Sequence, residues 1–430
     1  MEWAGASQAA ERLATAMAGD PVLALGRWAA SGAMALTGRP DGAPHAGPAR
    51  VALALDQWAD ELAAATAGSP HAIRVDGAAL LGERAALSGL QRQGATSCGG
   101  ACRLLPATDG VVAVSLARED DVGLVDAWLG RPLGLHSSVP LGAGEWAAIE
   151  AAVASGAVDA LVQQAILLGL PCAAVGERRA DTPLVVAERV QRSASRPLHE
   201  SLVVDLSSLW AGPLCAHLLG LGGARVVKVE STGRPDGARR GPAAFYDLLH
   251  AGHESVALDL RSAAGQQQLR DLMLRADIVI EASRPRALAA MDASFAAMHA
   301  LGWRGRWVSI TGHGRRDEMA QRVAFGDDAA AAGGLVAVDD RGPVFCADAI
   351  ADPSTGLLAA TVVVAAIADG VAGHFDLSLA GTAAHLAAGV AAHDPIVATE
   401  FEAVASPRAR QRPGRAAMLG QHTASVIGAR

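Results

Sequence analysis

The sequence is poor in aromatic residues and in cysteine, has no excess of basic charge, and lacks a long uncharged apolar run. Phe, Trp and Tyr supply 3% of the 430 residues, and Tyr246 is the single tyrosine, although 51% of the chain is hydrophobic. Alanine therefore carries much of the apolar content, and small-residue helices packed closely together are expected. The five cysteines, Cys98, Cys102, Cys172, Cys215 and Cys346, are scattered and odd in number. That argues against a disulfide framework and, with no signal peptide in the sequence, fits a reduced cytoplasm. Cys98-Gly-Gly-Ala-Cys102 lacks the second pair or nearby histidines of a zinc site, so no metal is expected. A formal net charge of −8 without a basic stripe argues against nucleic acid as the main partner. The apolar run at 362–368 is too short to span a bilayer, and no membrane association is expected.

What is present reads as two parts and a tail. Residues 1–195 alternate Ala-rich helical stretches with short strands and suggest a smaller α+β domain. Within it, 111–116 reads as a strand after the Asp109-Gly110 turn, 120–129 and 145–168 as helices, and 172–175 as a strand. The polar, Ser/Arg-rich segment 191–200 reads as a linker. Residues 196–388 carry repeated β-α units. A β-branched run at 202–206 leads through Ala211-Gly212-Pro213 into an apolar helix at 213–221, glycines close it, and a second strand runs over 225–230. Strands at 255–260, 278–281 and 307–310 and an amphipathic helix at 265–276 follow. Strands alternating with helices predict a doubly wound, Rossmann-like parallel sheet. Residues 389–430 form a C-terminal tail.

An internal echo accompanies this order. The stretch 28–42, WAASGAMALTGRPDG, is similar to 329–342, AAAAGGLVAVDDRG, and each is followed by an aspartate, Asp56 and Asp352 respectively.

Five motifs carry a resemblance to a known family. They are Asp205-Leu-Ser207 with Ala211-Gly212-Pro213; the run GARVVKVE at 223–230; Ser255-Val-Ala-Leu-Asp-Leu260; Ala276-Asp-Ile-Val-Ile-Glu281 with Arg284-Pro285; and Ile350-Ala-Asp352-Pro-Ser-Thr-Gly356. Leu419-Gly-Gln-His-Thr423 adds a C-terminal signature. In this order they resemble the CoA-transferases of the CaiB/BaiF type, the third CoA-transferase family, which also contains formyl-CoA transferase and 2-methylacyl-CoA racemase. The stretch 108–130 resembles the family's small domain. That domain here precedes the α/β part instead of following it, so the first half is a rearranged or degenerate half of such an enzyme.

The resemblance implies CoA transfer between an acyl-CoA thioester and a carboxylic acid, with coenzyme A as a substrate moiety and no permanently bound cofactor. It makes Asp352 the nucleophile, passing through a mixed anhydride and an aspartyl-CoA thioester. Read from the residues alone, Asp352-Pro353 is also a good helix N-cap followed by proline at the first position. Asp327 and Asp328 are the acid-base candidates, with Asp327 where the racemases carry a histidine. For CoA binding the resemblance implies Trp210, Ala211, Gly212 and Pro213 near the acyl group, Glu230 at the end of the second strand, Arg234 and Arg284 at phosphates, and Gly356 permitting close backbone approach of a ligand. The family's Asn-Lys-Arg-Ser before the third strand is here Gly252-His253-Glu254-Ser255, so two phosphate-binding residues are missing; His253 itself reads as a surface residue. A homodimer with the tail packing back on the α/β domain is also implied.

Three other readings compete. A dinucleotide-dependent oxidoreductase would need its glycine fingerprint directly after the first strand, where Ser207-Ser-Leu-Trp210 stands instead. An acyl-CoA racemase or epimerase shares the fold, and an inactive CoA-binding homologue would explain the lost basic residues.

Overall fold

The computed structural model describes residues 3–135, 139–193, 196–391 and 403–428. The first 90 residues are helical where alanine and leucine recur at helical spacing, in α1 (Ala4–Met17), α2 (Pro21–Ser31), α3 (Arg50–Thr66) and the short α4 (Glu83–Ser88). The ends of α2 follow from its sequence. Asp20 caps it by accepting from Val22 N at 2.7 Å, Pro21 occupies its first turn, and Gly32 at φ 88° closes it in the left-handed conformation.

Next come β1 (Cys102–Pro106), β2 (Val111–Ser115), α5 (Glu119–Val122), α6 (Val125–Leu129), α7 (Ala143–Val153), α8 (Val158–Leu168) and β3 (Cys172–Ala174). Their strands form an antiparallel sheet in the order β1-β2-β3. This lobe encloses its own core, which includes Leu105, Val112, Trp128, Trp146 and Ile149. The helix expected over 145–168 is two helices, because Ser155-Gly156 interrupts it and Gly156 N turns back to donate to Val153 O.

The chain then builds the large sheet from β4 (Val186–Arg192), β5 (Leu202–Asp205), α9 (Ala211–Leu221), β6 (Arg225–Ser231), α10 (Ala243–His250), β7 (Glu254–Leu258), α11 (Ala263–Arg275) and β8 (Ile278–Glu281). It continues through α12 (Pro285–Ala289), α13 (Phe295–Ala300), β9 (Arg306–Thr311), α14 (Gly326–Ala332), a hairpin of β10 (Ala337–Asp339) and β11 (Gly342–Val344), α15 (Ala351–Ala368), β12 (Val371–Ser378), α16 (Leu379–Ala391) and α17 (Thr423–Gly428). The strand order is β4-β12-β9-β8-β5-β6-β7, and each neighbouring pair is parallel except β12–β4. From β5 the chain winds outward to β7, returns to β8, and winds out the other way to β12. This is the doubly wound, Rossmann-like sheet expected. The direction reverses between β5 and β8, and the crevice beyond the carboxyl ends of those strands is where such sheets take ligands.

Two sequence expectations change. Gln191 and Arg192, read as linker, belong to the antiparallel edge strand β4. β12 was not expected at all: Gly373, His374 and Asp376 interrupt its apolar pattern, yet His374 and Asp376 are buried. Nor does the hydrophobic packing divide at residue 195. Trp28, Leu55, Trp58 and Leu62 of the N-terminal helices share one core with Val203 of β5, Leu214 of α9 and Leu357 of α15.

The echoing segments face each other. Arg39 Nε pairs with Asp339 Oδ2 at 2.7 Å, and Arg341 Nη2 pairs reciprocally with Asp41 Oδ1 at 2.7 Å. The helices that follow, α3 and α15, pack together, with Thr361 Oγ1 donating to Trp58 O at 3.2 Å. Asp56 does not correspond to Asp352 in place, however: it is held by Arg27 at 2.6 Å and 2.8 Å.

The described tail does pack back. Residues 403–416 lie along the N-terminal helices and α10, with Arg408 bonded to Ala30 O and Asp76, and Ala416 N to Asp247. The segment 420–423 then covers the edge of β7 through His422 N to Ser255 O at 2.8 Å and Ala257 N to Thr423 Oγ1 at 2.9 Å.

Candidate active site

Four aspartates converge where α14 and α15 begin. Asp328 is fully buried and accepts from Phe325 N at 3.0 Å and from the Ser115 hydroxyl of β2 at 2.6 Å. Asp327 accepts from Ala349 N at 3.1 Å, with the Ser97 hydroxyl beside it. Asp348 receives both Arg84 Nε at 2.8 Å and Arg84 Nη2 at 2.5 Å. Asp352, the second residue of α15, accepts from Gly326 N. The placement of these two neighbours is forced: a side chain at Gly326 would collide with Asp352 Oδ2.

The backbone around Asp348 is strained. Ala347 and Ala349 sit at φ 52° and 44°, the left-handed region that non-glycine residues avoid, at a cost of order 1–3 kcal/mol each. Neighbours hold them there. Ala347 N donates to Thr37 Oγ1 at 3.0 Å, and Ala349 N to Asp327. A third such residue, Leu209 at φ 71°, precedes Trp210. Its loop is fixed by buried Lys228, which bonds Ser207 O and lies 3.4 Å from Asp205 and 3.1 Å from Asp236.

Packing these acids away from water disfavours their charged forms. Burial raises the Asp352 carboxyl to about 7; the charges of Asp327 and Asp348 add to the rise, while Arg84 and the Gly326 N–H oppose it. Burial likewise lifts Asp327 to about 6 and Asp328 to about 7. Arg84 resists the same burial because Asp348, Asp327 and Asp352 together hold its proton above the ordinary range. The proton is thus held more tightly on Asp327, Asp328 and Asp352 than on an ordinary aspartate, with one guanidinium beside them. A helix N-terminus at α15 favours the ionised form of Asp352.

A basic patch lies next to the acids. Arg284, after β8, is flanked by Arg286, Arg118 and Arg234, and burial followed by these like charges lowers its pKa. Arg118, from the loop after β2, connects the two regions. Its guanidinium is 5.3 Å from the Phe325 ring centroid, and it is paired with Asp121 at 2.6 Å. An array of guanidiniums at the switch point suits a polyanion.

The sequence-derived residues fall into three groups. Asp327, Asp328 and Asp352 are brought together, and Arg234 and Arg284 share the patch. Trp210 is 2% exposed, stacks edge-on with Phe245 at 5.2 Å, and lies 5.3 Å from the Arg84 guanidinium, the counter-ion of the acidic cluster. Ala211, Gly212 and Pro213 are buried in the first turn of α9, where Gly212 is needed because a Cβ would meet Ser207. Glu230 is engaged in contacts of its own, and Gly356 lies one turn after Asp352 on α15. Glu230 is bound by Arg239 at 2.6 Å and by Asp236 N at 2.9 Å. Gly356 admits α9, since a Cβ there would lie 2.6 Å from Ala211 O. The N-cap reading of Asp352 is also corrected. The helix starts at Ala351, and Pro353 occupies its third position. His253 is buried, 7% exposed, beside His217 and His250.

Reading the sequence missed Arg84, Ser97, Ser115, Arg118 and Asp348. Asp348 left a signal, as an acid four residues before Asp352 in the apolar run Ala347–Ala351. The others come from the first half, and only the fold brings them here.

Comparison with known proteins agrees with these motifs. The chain is 30% identical over 175 residues to a succinyl-CoA–D-citramalate CoA-transferase from Chloroflexus aurantiacus, covering 38% of this chain and 44% of that protein. It is 28% identical over 182 residues to the human succinyl-CoA:glutarate CoA-transferase, covering 40% and 42%, and 28% identical over 173 residues to an Escherichia coli formyl-CoA:oxalate CoA-transferase, covering 38% and 42%. The chain thus spans less than half the length of these curated relatives. A solved CaiB/BaiF family protein from Brucella suis aligns at 27% identity and TM-score 0.41, over 45% of this chain and 55% of that one. The sequence model of CoA-transferase family III matches residues 198–420, more than half of the chain, and the protein therefore belongs to CoA-transferase family III.

Proposed function

We propose that the protein moves CoA between an acyl-CoA thioester and a carboxylic acid, with Asp352 as the covalent carrier. The observation that carries this reading is the part-buried Asp352 carboxylate, oriented by Gly326 N beside Asp327, Asp348 and Arg84. In this reading the ionised carboxylate attacks the thioester carbonyl and CoA leaves as thiolate, giving an acyl-aspartyl anhydride. The thiolate then attacks the aspartyl carbonyl, the donor acid departs, and an aspartyl-CoA thioester remains. The acceptor carboxylate attacks that thioester and releases the thiolate, which takes the acceptor acyl group and returns Asp352 to its carboxylate. Asp327 and Asp328, raised to about 6 and about 7, hold or release protons near the acids as charge moves. Arg118, Arg234, Arg284 and Arg286 bind the CoA phosphates.

The first half completes this single site. Arg84, Ser97 and Ser115 reach the acids from residues 1–195, so the smaller N-terminal part is a working component of one centre. The proposal extends to a cytoplasmic setting, consistent with five unpaired, buried cysteines, and to a homodimer, which sedimentation at micromolar concentration tests. Steady-state transfer assays with paired acyl-CoAs and acids test the activity: wild type should turn over and Asp352→Asn should not. The raised pKa values of Asp327 and Asp328 also suit α-proton abstraction. Solvent-deuterium exchange into the acyl-CoA without any acceptor acid, surviving in Asp352→Asn, would favour an epimerase instead.

A further inference from the structure

The C-terminal strap reaches the back of the helix that carries Arg84. Arg410 donates from Nε and Nη2 to Glu83 at 2.6 Å and 2.8 Å, and its backbone N donates to the same carboxylate at 3.1 Å. Glu83 is 1% exposed, so Arg410 closes off a carboxylate that water does not reach. The neighbouring residues of the strap are fixed as well. Pro407 lies against Gly32 and Gly82, too close for a Cβ at Gly32, and Arg408 is tied to Ala30 O and Asp76. Ahead of Glu83, the adjoining Arg84 faces Asp348, with Asp327 and Asp352 behind it and the Trp210 ring alongside.

Charge balance shows what the strap contributes. Arg84 faces the negative charges of Asp348, Asp327 and Asp352 on one side and has Glu83 as its chain neighbour. α4 is only six residues long, so it has little structure of its own to hold Arg84 in place. We infer that Arg410 is a positioning residue for the carboxylate site: by neutralising Glu83 it leaves the charge of Arg84 to Asp348 and the acids behind it. Without Arg410 the Glu83 carboxylate would stand uncompensated in a water-poor position. It would draw on the Arg84 guanidinium and add negative charge to the field at Asp352. This rests on Asp352 being the working carboxylate.

The groups that act on Asp352 directly are Arg84 on α4, Asp327 on α14, Asp348 before α15 and the Gly326 N–H; Asp328 is the further acid on α14, and Glu83 and Arg410 lie behind Arg84. Arg118 faces Asp328, Cys98 faces Asp348 and Asp327, and His217 on α9 faces Arg410. The test is a ¹³C-carboxyl NMR titration of aspartate-labelled protein without any acyl-CoA, with the Asp352 resonance identified by its loss in Asp352→Asn. Arg84→Gln should move the Asp352 midpoint up from about 7 by about one pH unit or more, roughly a fivefold loss of ionised form at pH 7. Arg410→Gln should move it the same way by a smaller amount. The double variant Glu83→Gln/Arg410→Gln should bring it back to the wild-type midpoint, because the uncompensated charge is gone. A midpoint unchanged in Arg410→Gln, or shifted equally in the double variant, overturns the inference. Should Arg410→Gln fold poorly, Arg410→Lys keeps the charge and should titrate as wild type; a shift there would contradict the charge account. The titration needs no CoA chemistry, so failure of transfer activity and failure of this inference are told apart.

Discussion

The segment from α2 into α3 and the segment from α14 into α15 are similar in sequence, face each other through reciprocal ion pairs, and end in packed helices, yet only one of them gathers a cluster of carboxylates. At the start of α3, Arg50 donates to Met17 O and Gly19 O, and the nearby acid Asp56 is spent on Arg27 and Ala78 N. At the start of α15, buried Asp348 and part-buried Asp352 stand beside two further acids, with strained backbone around Asp348. The scaffold alone therefore does not make a site. What distinguishes the second segment is a cluster of carboxylates that outnumber the one guanidinium paired among them and are oriented by backbone N–H groups.

The comparison is broken most severely at the two aspartates. Asp352→Asn should lower transfer by several orders of magnitude, because the amide is not a nucleophile, whereas Asp56→Asn should leave transfer unchanged and cost about 1 kcal/mol through its partly exposed ion pair. Paired turnover assays and thermal melts read both. Two glycines sharpen it. Gly326→Ala pushes a methyl onto Asp352 Oδ2 and should reduce transfer by about a hundredfold, whereas Gly26→Ala in α2 meets nothing within 4 Å and should be neutral or stabilising by up to about 1 kcal/mol.

Stability against pH gives a third contrast. The folded-state pKa of Asp352 is about 7 against an ordinary value of 3.8, so the folded protein holds the extra proton between those values. Stability then falls as pH rises from about 4 through 7, and Asp352→Asn should escape that loss. The variant should melt near wild type at pH 4 and be more stable by on the order of 1–3 kcal/mol at pH 8. An equal stability difference at both pH values would show that ionisation of Asp352 does not oppose folding. The smallest effect belongs to the reciprocal pairs. Arg341→Ala, at a pair half exposed on both sides, should change the melting temperature little, and that little should vanish in high salt.

The second half was largely legible in the sequence because its signals are local. Each strand from 202 to 281 is a short β-branched run closed by a turn, and period and spacing locate it within one or two residues. β12 was not legible, since its inward-facing His374 is satisfied by Ser309 at 2.9 Å, a partner 65 residues away. The site shows the same division. Asp327, Asp328 and Asp352 lie in motifs, and their helices begin where they do for local reasons. Arg84 could not be found this way: it precedes Asp348 by 264 residues, and nothing in its own neighbourhood marks it as the counter-ion of a buried acid. At Gly356 the structure shows the close approach of α9, a use of glycine that sequence does not distinguish from the approach of a ligand.

The most direct test of the account is the mass of the protein after incubation with a panel of acyl-CoAs. The peptide containing Asp352 should gain the mass of CoA less one water, on the aspartate itself, and hydroxylamine should remove it. The same peptide of Asp352→Asn should stay unmodified. Transfer activity with no adduct at Asp352, or an adduct placed on Asp327, Asp328 or Asp348, would contradict the assignment of Asp352 as the covalent carrier.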